Sequence, residues 1–414
     1  MPLCMDVRGL AFMSTHAVRI VTFALAALAL AGGCTAEMRK NVKVSHKNYN
    51  ILEIPVSACV PAKGGGVIVR SLDTGAIVPS QVEQDGRNLR VTWISRQPEK
   101  GKSKGYRIEF TGKPGRPDPR GVRVREGDGA VDVTISGQSF TRYVYTGAPK
   151  PYCYPIIGPT GKPVTRNFPT REVEGESRDH PHHRSLWFTF GEVSGVNFWT
   201  ESSVGGKIVH KEFDKLVSGP VYGRIVARND WMSPEGKKVC EDTRDLRIYR
   251  TASGRIMDFE ITIRATDGPV KFVDTKEGMF GIRVACSMEV DRGKGHIENA
   301  RGDKDGAAWG KQAEWCDYYG PVDGETVGIA IMDHPTSFRY PTYWHVRTYG
   351  LFAANPFGLS AFTNGSIKDG SYTIPPGGEI TFRYRIFIHK GTTDEAGVAE
   401  AYEGYSKPPN VAVK

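Results

Sequence analysis

Three histidines, an arginine and a tryptophan lie within one short segment, His180-Pro-His-His-Arg-Ser-Leu-Trp187. A histidine can accept or donate a proton near neutral pH, an arginine can hold a carboxylate or sulfate through two parallel hydrogen bonds, and an indole can stack on a sugar ring. Because few structural roles require all three residue types, the segment predicts a ligand site and favours a sugar. We expect His180, Arg184 and Trp187 to contact that ligand.

A second cluster, Tyr343-Trp344-His345-Val346-Arg347, repeats these residue types further along the chain. We therefore expect the two segments to face one concavity, with Trp344, His345 and Arg347 in contact with the ligand. Individual residues also have structural interpretations: Arg184 could pair with Asp179, and Trp187 could belong to the core, as aromatic residues in strands usually do. A His-x-His pair can bind a metal, but the sequence offers no third ligand, so we expect no metal site and no cofactor.

Short strands must position these clusters. Apolar and polar residues alternate with a period of two, which is typical of half-buried strands, in segments 67–70, 89–94, 106–110, 131–135, 258–264 and 380–388. The 48 glycines and 26 prolines separate such runs as turn formers. A helix is predicted only over Thr393 to Tyr405, where alanine and glutamate are frequent. The pattern predicts an all-β fold, an antiparallel β-sandwich.

Composition divides the chain into three parts. Residues 1–34 have the pattern of an export signal, residues 44–147 contain strands without concentrated histidine or tryptophan, and residues 148–405 contain both clusters. We expect a smaller N-terminal β-sandwich over 44–147, and a larger β-sandwich domain with the working site over 148–405.

The export signal has arginines, then an apolar run from Ile20 to Ala31, then small residues before Cys34. This pattern resembles a bacterial lipoprotein signal in which Cys34 is lipidated, although Ala31 stands where leucine is usual. Cleavage by an ordinary signal peptidase is the alternative, and Met13 could be the true start. We expect a protein of the periplasm or outer envelope that contacts the membrane only through an N-terminal lipid.

The formal net charge is +9, and the predicted mature chain stays basic. For an exported protein this balance favours an acidic polysaccharide over nucleic acid, or it only aids solubility. The cysteines lack a CxxC or close Cys/His spacing, so a disulfide framework or a structural zinc is not expected.

Several motifs beyond the two clusters resemble the exported bacterial family labelled methane-oxygenase PmoA-like, over about residues 148–391: Lys150-Pro-Tyr-Cys-Tyr-Pro, Asp179-His-Pro-His-His-Arg, 274–283, Trp309-Gly-Lys, Trp315-Cys-Asp-Tyr and 334–358. The family is otherwise one of unknown function, so the resemblance implies export but supplies no reaction. We do not expect a genuine methane monooxygenase, because that subunit is a multi-helix membrane protein and no later segment here reaches about 20 apolar residues.

More broadly, the closing segment from Pro375 to Gly391 is similar to the last strands of the galactose-mutarotase-like supersandwich. In sugar-active proteins of that type a histidine and a glutamate often flank the sugar as acid and base. The resemblance therefore implies His182 or His183, together with Glu277, as the catalytic pair.

Glu277 also stands out by itself, since Lys276 and Glu277 interrupt an apolar run and a charged pair is expensive to bury without compensation. This favours a pocket-facing role, and a solvent-exposed strand edge is the alternative. The remaining predicted contacts come from the motifs and from loops rich in glycine and aspartate, where an exposed tryptophan needs a ligand or a neighbour to cover it: Lys276, Arg283, Trp309, Lys311, Trp315 and Asn355.

Two function classes follow. The first is an exported carbohydrate-active enzyme, a glycoside hydrolase, polysaccharide lyase or sugar epimerase, that acts on a sugar or anionic glycan by His/carboxylate acid–base chemistry. The second is a non-catalytic glycan-binding lipoprotein of the cell envelope. The sequence shows no Ser/His/Asp order, P-loop or dinucleotide fingerprint.

Overall fold

A computed structural model describes residues 39–45, 53–62, 66–96, 101–111 and 118–414. The predicted export signal and Cys34 lie outside these residues. One compact unit comprises Lys40–Lys414, and it contains both sandwiches. About half of the described residues, 51%, are in strands and 6% are in helices, so the predicted all-β class is confirmed. No helix of the described residues is long and apolar enough to cross a membrane.

In chain order, the described strands are β1 (Arg39–Ser45), β2 (Ile54–Pro61), β3 (Gly66–Ser71), β4 (Ile77–Val78), β5 (Ser80–Asp85), β6 (Asn88–Ser95), β7 (Ser103–Thr111), β8 (Val122–Gly127), β9 (Ala130–Ile135), β10 (Gln138–Val144), β11 (Tyr152–Cys153), β12 (Leu186–Phe190), β13 (Lys207–Val217), β14 (Tyr222–Met232), β15 (Lys238–Tyr249), β16 (Arg255–Arg264), β17 (Val270–Phe272), β18 (Gly278–Arg283), β19 (His296–Asn299), β20 (Trp315–Val322), β21 (Glu325–Asp333), β22 (Tyr343–Val346), β23 (Leu351–Asn355), β24 (Tyr372–Ile374), β25 (Glu379–Lys390) and β26 (Asn410–Val413). The α-helices are α1 (Leu359–Phe362) and α2 (Val398–Ser406).

The smaller sandwich pairs a sheet of order β26-β1-β7-β3-β4 with a sheet of order β2-β6-β5. Alternate residues of these strands point inward, and the core they form includes Trp93, whose ring meets Tyr106 edge-on at 5.2 Å. The final strand β26 pairs antiparallel with β1, so the end of the chain returns to this sandwich.

The larger sandwich consists of two eight-stranded sheets, counted over the residues that the structure describes. One has the order β22-β23-β18-β12-β11-β10-β9-β8, and the other has the order β13-β14-β15-β16-β25-β21-β20-β19. Aromatic rings from the inner faces meet between the sheets: Phe280 of β18 stacks on Tyr384 of β25 at 4.7 Å, and Phe188 of β12 lies 5.9 Å from Phe382. We call the sheet that contains β12 and β22 the site sheet.

Two details differ from the sequence-based expectations. Strands β8 to β10 lie within the segment expected to form the N-terminal sandwich, but they pair into the site sheet. The expected division into residues 44–147 and 148–405 stays a prediction. Helix α2 begins at Val398, five residues after the expected start at Thr393. Gly397 precedes the helix with a left-handed φ of 63°, and the Thr393 hydroxyl donates a hydrogen bond to the buried carboxylate of Asp317.

Candidate functional site

Four aromatic rings form a nearly parallel column on the outer face of the site sheet. Tyr349 stacks on His180 at 5.2 Å, His180 on His183 at 4.7 Å, and His183 on Trp187 at 5.2 Å, with interplanar angles of 5°, 7° and 16°. His182 meets His183 edge-on at 4.5 Å. The predicted histidine cluster is therefore a single packed unit with Tyr349 at its outer end.

Strand register places the two sequence clusters on the same face of the site sheet. Trp187 pairs with Gly281, Gly281 with Ala353, and Ala353 with His345, and residues directly opposite each other in neighbouring strands point to the same side. Gly281 provides the space for the indole, because a Cβ there would lie 2.7 Å from the Trp187 ring. The ring column and His345 therefore lie on the same outer face of the site sheet.

Buried charges lie under the column. The Lys150 ammonium pairs with Glu201 and donates to the carbonyl oxygen of His182 at 3.1 Å, and the Arg184 Nε donates to both Glu201 oxygens at 2.9 Å. Burial lowers the pKa of Lys150 to about 8 although Glu201 favours its charged form. The predicted ligand contact by Arg184 is therefore corrected, because its guanidinium already holds a buried carboxylate.

Asp179 is held by two arginines and in turn orients His180. Its carboxylate accepts hydrogen bonds from Arg166, from the Arg283 Nη2 at 3.0 Å and from the Ser177 hydroxyl at 2.8 Å. Burial opposes its ionisation, but Arg283 and these donors outweigh that effect and hold the pKa of Asp179 well below its usual range. The other carboxylate oxygen accepts from the His180 Nδ1 at 2.8 Å.

This pairing prepares His180 for proton transfer. A carboxylate only accepts hydrogen bonds, so Nδ1 carries a proton, and in the neutral ring the lone pair is at Nε2. The side chain is 40% exposed, so a ligand can reach part of the ring. After protonation, the imidazolium would lie beside the Asp179 carboxylate, the arrangement that stabilises a histidine acting as a general base.

The predicted catalytic histidines, His182 and His183, are less suited to proton transfer. His183 is 1% exposed, and its Nδ1 accepts from Arg283 at 3.3 Å. Burial holds the pKa of His183 well below its usual value and lowers the pKa of His182 to about 4, with nearby cations adding to both shifts. The assignment of His183 is corrected, since a buried neutral ring cannot reach a ligand.

The second half of the face is built around His345. The Trp309 indole N–H donates to the His345 Nδ1 at 3.0 Å, and the Arg347 guanidinium lies 5.7 Å from the ring centres of both Trp309 and Tyr349. Burial lowers the pKa of His345 to about 3, with further contributions from Lys276, Arg347 and His180. No carboxylate pairs with Arg347 in the described part of the chain, so its donors remain available.

Glu277 immediately precedes β18 and forms an ion pair with Lys276 at 3.2 Å. Both side chains are partly exposed, at 37% and 50%, which matches the alternative of a solvent-exposed pair. The Glu277 carboxylate contributes to the raised pKa of Tyr349, which is mainly a burial effect. The pair therefore lies on the Tyr349 side of the site, but it makes no described hydrogen bond to the three histidines.

Other predicted contacts have structural roles. Asn355 is buried and bridges loops, donating to the Thr275 carbonyl at 3.0 Å and accepting from the Phe357 amide at 2.9 Å. Lys311 is exposed in the loop beside Trp309, and its backbone carbonyl accepts from the Trp344 amide at 3.0 Å.

The structure corrects the predicted contacts by Trp344 and Trp315. Successive residues of a strand point to opposite faces, so Trp344 points inward where its neighbour His345 points outward. The Trp344 indole is fully buried and donates to the Ala313 carbonyl at 3.0 Å. Trp315 belongs to β20 of the other sheet and packs with Tyr402 of α2.

Three contributors were not singled out from the sequence: Tyr349, Trp199 and Glu201. Trp199 is buried edge-on against Trp187 and His183, and no sequence pattern connects it to the cluster. Tyr349 could have been found as the second residue after Arg347. Glu201, His180 and Ser185 have positive φ angles of 54°, 44° and 57°. Residues other than glycine in this left-handed conformation often cluster at functional sites.

The described residues include no group of three or more His, Cys, Asp or Glu side chains arranged to hold a metal ion.

The fold and this face define an all-β double-sandwich protein with a histidine, arginine and aromatic surface site. The chain belongs to the family of unknown function DUF6807, whose sequence profile matches residues 130–403. That match includes β9 and β10, in agreement with their pairing in the site sheet. No curated protein sequence matches the chain.

Solved structures with a similar arrangement include a glycosyl hydrolase family 38 protein from Enterococcus faecalis, with 10% identity and a TM-score of 0.42 over 91% of this chain and 48% of that one. An α-mannosidase from Enterococcus faecalis V583 has 11% identity and a TM-score of 0.44, over 91% and 46% of the two chains. A glycoside hydrolase family 97 enzyme from Pseudoalteromonas sp. strain K8 has 11% identity and a TM-score of 0.27, over 65% and 34%. The chain thus spans less than half of their lengths, and likenesses of this size do not establish function.

Proposed function

We propose that the protein is a carbohydrate-active enzyme that uses His180 as its general base or acid. The observation that carries the proposal is the His180 ring, 40% exposed, fixed at Nδ1 by Asp179 and stacked between Tyr349 and His183. This assignment replaces His182 and His183 as the primary candidates, and Glu277 stays the proposed carboxylate partner because it is exposed on the same side.

The ligand class is proposed from the surrounding chemistry. The face presents the partly exposed rings of Tyr349 and Trp309, which suit the apolar face of a sugar, beside the guanidinium of Arg347, which has no carboxylate partner among the described residues. An arginine in this position suits a carboxylate or sulfate, so we propose an acidic polysaccharide or an anionic oligosaccharide. The matched family's description names no oxygenase, and we propose none.

A panel of soluble glycans tests the proposal. Neutral, uronate-containing and sulfated polysaccharides are incubated with the protein, and binding and product formation are measured separately. We expect at least one acidic glycan to be converted. His180→Gln should lower turnover about 10²- to 10⁴-fold, the usual effect of losing a general acid or base.

His296→Gln is the matched control, because His296 is an exposed histidine beside a carboxylate, Asp305, on the other sheet. It should leave turnover unchanged. Full turnover of the His180→Gln variant would refute the catalytic assignment.

The alternative proposal is a non-catalytic glycan-binding protein. The ion pair between Lys276 and Glu277 favours it. Because Glu277 is engaged by Lys276, His180 has no second described carboxylate positioned for acid–base chemistry. Tight binding without conversion of any glycan would support this alternative. We further propose export and lipid attachment at Cys34 from the sequence pattern alone.

A further inference from the structure

A cavity of about 580 Å³ lies where one end of the smaller sandwich meets hairpin turns of the larger one. The smaller sandwich contributes the connection after β3 and the facing ends of β6 and β7. The larger sandwich contributes turns at residues 136, 220–221 and 250–252. Its volume is within the range of about 300–1,000 Å³ that is usual for small-molecule sites.

Hydrogen bonds hold the two walls together. Glu53 of the smaller sandwich accepts from the backbone amides of Ala252 and Ser253 at 2.6 and 2.9 Å. The Gln81 side-chain oxygen accepts from the amides of Val221 and Tyr222 at 3.3 and 3.0 Å. The cavity is therefore preformed, which reduces the ordering that a ligand would have to impose.

Part of the lining is apolar. Ile77 is 60% exposed, which is high for a large aliphatic side chain, and it stands beside further apolar residues that line the same cavity: Val78, Pro79, Ile94, Pro220 and Val221. A ligand with an apolar body would remove this surface from water.

Among the described residues, the polar lining combines three cationic side chains with one carboxylate and several hydroxyls, which can both donate and accept hydrogen bonds. The single carboxylate among the described lining residues, Glu53, is occupied by the two amides above, by the Ser253 hydroxyl and by Arg96. Lys104 uses one donor for the Arg96 carbonyl at 3.2 Å and pairs with no described carboxylate.

We propose that this cavity binds an organic anion with an apolar chain, with a carboxylate or similar group beside Lys104 and the chain against Ile77. The Lys104 ammonium selects an anion over a cation, and the aliphatic wall selects an amphiphile over a simple salt. The site is separate from the ring column, so it does not depend on the proposed glycan chemistry.

The test uses dodecanoate as the probe, at concentrations below micelle formation, with dodecylammonium and acetate for comparison. Binding to the whole protein is measured by calorimetry. We expect saturable binding of dodecanoate, no binding of dodecylammonium, and acetate binding at least about tenfold weaker, because acetate lacks the apolar chain.

Two variants localise the probe. Lys104→Met should weaken dodecanoate binding about tenfold or more, the usual effect of losing a charged hydrogen bond. Ile77→Trp should narrow the cavity and weaken binding, and it alters an exposed side chain, so folding is expected to persist. Lys237→Met, at an exposed turn of the larger sandwich, is the matched control and should bind as the unaltered protein does.

Equal binding of dodecanoate and dodecylammonium would overturn the proposal. So would unchanged binding by a folded Ile77→Trp variant, with folding checked by circular dichroism. Neither result would affect the assignment of His180.

Discussion

His180 and Arg347 show how neighbouring groups assign a role to a residue. The site face contains four other buried or half-buried cations with carboxylate partners, namely Lys150, Arg166, Arg184 and Arg283. Arg347 instead lies between two rings without a described partner, and an aromatic environment leaves its planar donors available for an anion.

Arg347→Met should weaken binding of an acidic glycan about 10- to 100-fold, because a hydrogen bond to a charged group is worth about 1.5–3 kcal/mol. Binding of a neutral glycan of the same length should change little. Titration calorimetry measures both, and Arg123→Met, an exposed arginine of β8, serves as the control. Equal losses for acidic and neutral glycans would show that Arg347 maintains the fold of the site and does not recognise charge.

His345 should make folding sensitive to acid. Its pKa falls from 6.5 to about 3 on burial, so between these values the unfolded chain binds a proton that the folded chain does not. Stability therefore decreases as the pH falls below about 6.5, with a slope of about 1.4 kcal/mol per pH unit for this one group. His345→Asn, which keeps an acceptor for Trp309, should lose that slope.

Denaturant unfolding of both proteins at several pH values between 4 and 7, with about 0.5-unit steps, measures this difference. Comparing the two proteins removes the contributions of His182 and His183, which have the same sign. Parallel pH profiles would contradict a neutral buried His345.

At the scale of elements, strand alternation decides which side chains can form the site. The paired row from Trp187 to His345 lies on the outer face, and the adjacent row, which contains Phe188, Phe280 and Trp344, lies in the core. Gly281 in the middle strand is the point where a missing side chain allows the indole to lie flat on the sheet.

Gly281→Ala tests this packing. The new Cβ would lie 2.7–3.1 Å from three atoms of the Trp187 ring, so the indole and the rings stacked on it must move. We expect a loss of about 1–3 kcal/mol in unfolding free energy, which is typical of an overfilled core, together with weaker glycan binding. Thermal unfolding measures the first effect.

The control for this variant is Gly127→Ala in β8, where a Cβ would meet nothing within 4 Å. It should keep both stability and binding. If Gly281→Ala behaves like Gly127→Ala, the ring column does not depend on close contact with the sheet.

At the scale of the whole molecule, the two sandwiches meet through fixed contacts. The last described strand pairs with the first. Strand β26 pairs with β1, so the C-terminus lies on the smaller sandwich. An attachment at the N-terminal side of β1 would therefore connect to the smaller sandwich directly.

We predict that the mature protein begins at a lipidated Cys34. Mass spectrometry of the N-terminal peptide from membranes should show a diacylglyceryl-modified cysteine, and Cys34→Ser should release the protein into the soluble fraction. An unmodified N-terminus at another residue would contradict the prediction. This experiment tests attachment and is independent of the site chemistry.

The sequence by itself determined the class of the fold and predicted a candidate site. Period-two alternation in segments such as 258–264 can only bury one face when the segment is a strand, and the density of ionisable and aromatic residues at 180–187 exceeds what packing requires. Local order of this kind is encoded by neighbouring residues, so it could be predicted without tertiary information.

Only the tertiary structure decided which residues in the clusters can act. His180 and His183 are three positions apart, yet one is exposed beside Asp179 and the other is buried against Arg283. Trp344 and His345 are adjacent, and register sends them to opposite faces. Exposure, pKa and pairing depend on groups from other loops and turns, such as Tyr349, Trp199 and Glu201, whose positions follow from the packing of the whole sandwich and from no local pattern.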